Sequence, residues 1–194
     1  MLPDIIQPIV TLFIVLDPIS NSPYFYILTK NMDGKERNKI IIESVFIASL
    51  ILLFFVFGGD VIMEMMGVTV DDFRIAGGMI LLIYSILGLL EILKLPKFEG
   101  RNISAVPMAT PLLAGPGAVT MVIYIKYSWG LPIGIISILV NSLISLPILL
   151  IGKQALGILG ENGTVILDKI MSMLMAAYGV SIVREGIINM LRLI

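Results

Sequence analysis

The chain has 194 residues, 58% of them hydrophobic and only 14% charged, with a net charge of −1 and neither cysteine nor histidine. A soluble domain carries about 25% charged residues, so this composition excludes an ordinary water-soluble core. The missing residue types exclude disulfides, thiolate nucleophiles, zinc centres and imidazole relays, and a near-neutral charge gives nucleic acid no electrostatic footing.

The apolar residues fall in long runs separated by short charged clusters, the pattern of an all-α polytopic membrane protein. A transmembrane barrel needs alternating strands, and these runs do not alternate. The sequence predicts six spans, over 5–28, 40–57, 75–93, 107–127, 132–152 and 170–188. Each is near the ~20 residues that cross ~30 Å of hydrocarbon. The opening MLPDIIQPIV carries an acid and no basic cluster, so it reads as part of the first span and not as a signal peptide. Glu43 follows Lys39 by one helical turn and reads as half of an interfacial ion pair. The segment 58–74 carries Asp60, Glu64, Asp71 and Asp72 around the apolar VIMEMMGV. It is expected to be a short interfacial segment between spans. Gly77 and Gly78 in the third span are expected to allow close helix approach.

Basic residues set the orientation. Lys30, Lys35, Arg37, Lys39, Lys94, Lys97, Arg101, Lys153 and Lys169 lie on one side of a six-span arrangement. They outnumber Arg74, Lys126, Arg184 and Arg192 on the other. The richer side is expected to be cytoplasmic, with both termini outside.

The chain also compares with itself. One offset places Pro18 on Pro116, Glu43 on Asn141 and Ser44 on Ser142; a slightly shorter one places Arg74 on Lys169 and Tyr84 on Tyr178. This suggests a first repeat over 1–96 and a second over 97–194 within one membrane domain. Three spans per repeat is an odd number, so the second enters the membrane from the opposite side. Interrupted apolar segments at matching positions of inverted repeats point to a transporter's binding site.

The first interruption is VLDPISNSP, in which Asp17 is a helix cap and Pro18 the first helical residue. The second is LAGPGAVT, in which Gly115 takes the cap position and Pro116 the first helical one. Spans one and four are therefore expected to break near the midplane. A helix N-terminus carries about +0.5 charge and free N–H groups. Asp17 neutralises the first; Gly115 has no side chain, so the amides of Gly117, Ala118 and Val119 are expected to stay available to an anion. Asp17 is an intramembrane acid able to hold an ammonium group, a proton or sodium. Together they suit a small zwitterion. Asn21 and Ser22 lie within a turn of Asp17 and complete its surroundings, with Ser20 behind them. Thr120, one turn past Pro116, either donates to the ligand or bonds its own i−4 carbonyl. Asn141 and Ser142 line the cavity from the fifth span or hold helices together. No cofactor is expected, and no catalytic residue.

DPISNSP, FRIAGG and TPLLAGPGAVT, in that order across six spans, resemble the MarC family, which includes small neutral amino acid transporters. The family's first motif has glycine where this chain has Ser20. The resemblance covers essentially the whole chain. It implies transport of glycine- or alanine-like amino acids across the cell membrane, coupled to protons or sodium. A cation channel or ion transporter, an exporter of other small solutes, an intramembrane enzyme and a membrane assembly factor stand as alternatives. The enzyme lacks a second embedded carboxylate, because Glu43 is shallow.

Overall fold

The computed structural model describes residues 2–29, 32–90 and 113–192. Seven helices are found among them: α1 (Leu2–Leu16), α2 (Pro18–Leu28), α3 (Gly34–Met66), α4 (Val70–Leu89), α5 (Pro116–Trp129), α6 (Leu131–Leu150) and α7 (Gly152–Arg192). Five stretches are long and apolar enough to cross a membrane: Ile5–Ser22, Gly34–Gly59, Val70–Leu89, Leu131–Leu150 and Asn162–Arg192. The predicted fourth span begins outside the described residues, as does the boundary between the two predicted repeats. Its described part is α5, 14 residues and about 21 Å long at the α-helical rise, too short to cross alone.

Helix α3 shows what surrounds the molecule. Ile41, Val45, Ala48, Leu52, Val56 and Met63 form a buried stripe at helical spacing. The opposite side is equally apolar but exposed, with Ile42, Phe46, Leu50, Phe54, Phe57 and Val61 following each other every three or four residues. A helix apolar on both its packed and its open face belongs in lipid. Lys39 and Glu43, 3.8 Å apart, make the expected exposed pair near its start.

The 58–74 region differs from expectation. VIMEMM is the end of α3, which runs on to Met66. Gly67 then turns the chain at φ 66°, its amide bonding Glu64 O and Val68 N bonding Met63 O. Only glycine takes that φ freely. Thr69 starts α4 at once through a capping box with Asp72. These apolar residues thus extend the helix and form no separate segment.

Helices α4 and α7 make the most intimate pair. A Cβ on Gly78 would lie 2.6 Å from Gly179 O, and one on Gly179 would lie 2.7 Å from Gly78 O. Small residues let backbones touch where the hydrophobic effect gives no help. Helix α2 is seated on the α6–α7 junction, where Ser22 Oγ donates to Ile148 O at 2.7 Å and Gly152 leaves no room for a side chain beside the Ser22 carbonyl. Helix α7 bends at Gly160, whose φ of 64° interrupts the helical ladder.

Candidate functional site: two interrupted helix starts

The first predicted break lies between α1 and α2. Asp17 sits outside both helices at φ 43°, in the left-handed region that Asp and Asn tolerate better than most residues. Pro18 has no N–H to give. Asp17 N still donates to Phe13 O (2.9 Å), and Asn21 N donates to Asp17 O (3.1 Å), so the ladder is bent without being abandoned. Asp17 Oδ1 accepts from Ser20 N at 3.2 Å, which caps α2. The carboxylate is 8% exposed. Asn21 Nδ2 reaches back to Leu16 O at 3.0 Å and closes the other side of the break.

At the second interruption Gly115 precedes α5 at φ −67°, ψ 170°, with Pro116 at the first helical position and no side-chain cap. Leu113, Ala114, Gly117 and Ala118 are buried, while Gly115 is half-buried and Pro116 exposed. The helix start therefore opens outward between packed neighbours. One expectation is corrected here. Val119 N donates to Gly115 O at 3.1 Å, because the carbonyl of the cap residue accepts the first bond of the helix. Gly117 and Ala118 remain as first-turn amides with no side-chain cap. What precedes 113 in the predicted broken span lies outside the described residues.

The start of α5 packs against the end of α1. A Cβ on Gly117 would lie 2.7 Å from Leu81 and 3.7 Å from Val15 Cγ1, so the opening turn of α5 touches α1 two residues before Asp17. Thr120 donates to Pro116 O at 3.0 Å, and its side chain fills the space that the missing Gly77 Cβ leaves. Its hydroxyl is thereby turned into its own helix and not toward a ligand. Ser22 is likewise engaged with Ile148 O.

The other polar candidates lie one helix away. Ser142 Oγ donates to Ile138 O at 2.7 Å and is 2.6 Å from Ser49 Oγ, which fixes α6 to α3. Asn141 is fully buried and donates to Ile9 O at 3.0 Å and Ser137 O at 2.8 Å. It joins α6 to α1 and not to either break. Ser20 is 2% exposed beside Asp17.

Sequence reading missed a second polar group. Tyr124 Oη donates to Glu185 Oε2 at 2.8 Å, linking α5 to α7. Arg74 lies over the Tyr124 ring at 5.6 Å and pairs with Asp71 at 2.8 Å. Asn189 Nδ2 donates to the same Asp71 oxygen at 3.2 Å. The signal was present, since Arg74 and Glu185 are charges at the margins of apolar spans; their pairing across the fold was not. A cavity of about 700 Å³ opens elsewhere, lined by Tyr26, Asp33, Lys35, Arg37, Lys153 and others at the meeting of α2, α3 and α7. It contains none of the predicted site residues, and the chemistry of the breaks is the better guide to a site than its size. Among the described residues no cluster of acids suits a metal ion.

Residues 2–191 match the model of the MarC family, described as integral membrane proteins. The chain is similar to the UPF0056 membrane protein of Buchnera aphidicola subsp. Schizaphis graminum, 28% identical over 95% of this chain and 96% of the relative. It is also similar to the UPF0056 membrane protein of Methanocaldococcus jannaschii, at 32% over 91% and 92%. The UPF0056 inner membrane protein YhgN of Escherichia coli strain K12 is 28% identical over 95% and 96%. No solved structure matches.

Proposed function

The chain belongs to the MarC family of integral membrane proteins, and on that footing we propose that it is a secondary transporter of small neutral amino acids working by alternating access. The observation that carries this reading is the packing of the uncapped start of α5, at Gly117, against α1 at Val15, two residues before the buried, capped carboxylate of Asp17. Asp17 receives the ammonium group of a zwitterion, or its coupling ion. The Gly117 and Ala118 amides receive the carboxylate. Small neighbours, Ala114, Gly115, Gly117 and Ala118, restrict the ligand to glycine- or alanine-like size.

An inverted repeat would suit alternating access. The reciprocal contact of Gly78 with Gly179 has the form of a two-fold contact, in which each residue meets its counterpart. Under this reading α1–α2 corresponds to α5, α3 to α6 and α4 to α7. On the same reading, the Lys and Arg distribution favours both termini outside.

The test is thermal stabilisation of the purified protein by a panel of ligands. Glycine and alanine should raise Tm saturably, while acetate and methylamine, each carrying one charged half, should do so far less. In Pro116→Ala the first turn of α5 is remade, and the alanine-induced shift should shrink. No stabilisation by any neutral amino acid, or an alanine shift unchanged in Pro116→Ala, would overturn the assignment.

A further inference from the structure

The cavity at the meeting of α2, α3 and α7 takes no part in the transport reading, and its lining is not that of a packing void. Three cations line it: Lys35 and Arg37 from the first turn of α3, and Lys153 from the first turn of α7. The acid in the lining is Asp33. Its Oδ1 is already engaged as the cap of α3, accepting from Glu36 N at 2.7 Å. None of the three cations forms an ion pair among the described residues.

Arg37 is fixed in place. Its guanidinium lies over the Tyr26 ring at 4.9 Å, and Nη2 donates to Thr29 O and Met32 O, both at 3.4 Å. These contacts brace α3 against the end of α2 and hold one charge at the cavity wall. Lys35 and Lys153 are exposed, on flexible stems that can turn toward a common anion. The apolar side of the same cavity comes from Ile41, Leu149 and Leu150. These belong to the membrane-crossing stretches Gly34–Gly59 and Leu131–Leu150, and Leu150 is the last residue of the second. The cavity is therefore cationic toward the helix starts and apolar toward the spans, at the level where hydrocarbon gives way to headgroups.

A free anion would gain from the cations and nothing from the apolar side. An anionic phospholipid gains from both, with its phosphate among the helix starts and its acyl chains along the exposed apolar surface of the bundle. Basic pockets between membrane helices are where such headgroups dock. Coulomb attraction acts over several ångströms and needs no single coordinating point, and a volume of about 700 Å³ is ample for a headgroup. We infer that this cavity binds the phosphate headgroup of an anionic phospholipid, held by Lys35, Arg37 and Lys153. The bound headgroup bridges the start of α3 to the start of α7 and resists their separation. This binding does not rest on the transport reading.

The experiment uses purified full-length protein in an uncharged detergent. Its Tm is followed against phosphatidylglycerol, against phosphatidylcholine with the same acyl chains, and against inorganic phosphate. Phosphatidylglycerol should raise Tm saturably. Phosphatidylcholine, whose headgroup carries its own cation, should do so far less, and so should phosphate alone. Arg37 also braces α2, so the informative variant is Lys35→Gln with Lys153→Gln, which keeps the contacts of Arg37. Half-saturating phosphatidylglycerol should rise roughly tenfold or more, the scale of two basic side chains near an anionic headgroup. Lys39→Gln removes a charge that is 76% exposed and outside the cavity lining, and should leave the response as in the wild type. Equal stabilisation by the two lipids would overturn the proposal, as would an unchanged response in the double variant. Phosphate matching phosphatidylglycerol would overturn the lipid as occupant. A loss in Lys39→Gln as large as in the double variant would show general surface charge at work and overturn the site.

Discussion

Asp17 combines three properties that one substitution can separate. It is buried, it holds a φ of 43°, and its carboxylate caps α2 through Ser20 N. Asparagine tolerates the same backbone region and caps a helix as well as aspartate does. Asp17→Asn therefore removes the charge and leaves the bend, whereas Asp17→Ala removes charge and cap together. Thermal unfolding should place Asp17→Ala below Asp17→Asn by about 1 kcal/mol or more, the ordinary worth of a cap. If the two are equally stable, the Ser20 amide does not depend on this side chain. Asp17 was legible in the sequence because the cap and the proline that follows it are local signals. The engagement of Val119 with Gly115 and of Thr120 with Pro116 follows from the same helical arithmetic.

Among the elements, the α4–α7 crossing sets the tightest constraint. Gly78→Ala would put a methyl group 2.6 Å from the Gly179 carbonyl, and a backbone carbonyl cannot step aside as a flexible side chain can. Overpacking of this kind costs about 1–3 kcal/mol. Gly58→Ala meets nothing within 4 Å and serves as the control. Detergent-solubilised Gly78→Ala should unfold several degrees below Gly58→Ala; matching melting curves would show that the crossing yields easily. Five of the six predicted spans were readable from the apolar runs, and Gly77 and Gly78 from their small size. The length of α3 was less so. Charges in 58–74 suggested an interruption, but Glu64 is exposed on a helix that continues past the hydrocarbon to Met66. Tyr124–Glu185 and Ser49–Ser142 were not readable at all, because a single sequence records no pairing between residues so far apart.

For the whole molecule, orientation and function remain to be measured together. Helix α3 has 33 residues, about 50 Å at the α-helical rise, so its two ends emerge on opposite sides of the bilayer. The chain has no cysteine, so single cysteines report without background. If both termini lie outside, an impermeant thiol reagent added to intact cells should label Met66→Cys, 70% exposed, and spare Lys35→Cys at the other end of α3. The reverse pattern would invert the topology. The most direct test of the central claim is uptake of radiolabelled glycine and alanine into proteoliposomes, wild type beside Asp17→Asn at matched reconstitution. Saturable uptake in the wild type that is lost in Asp17→Asn, with the variant still folded, is the predicted result. Uptake by Asp17→Asn equal to wild type would contradict it.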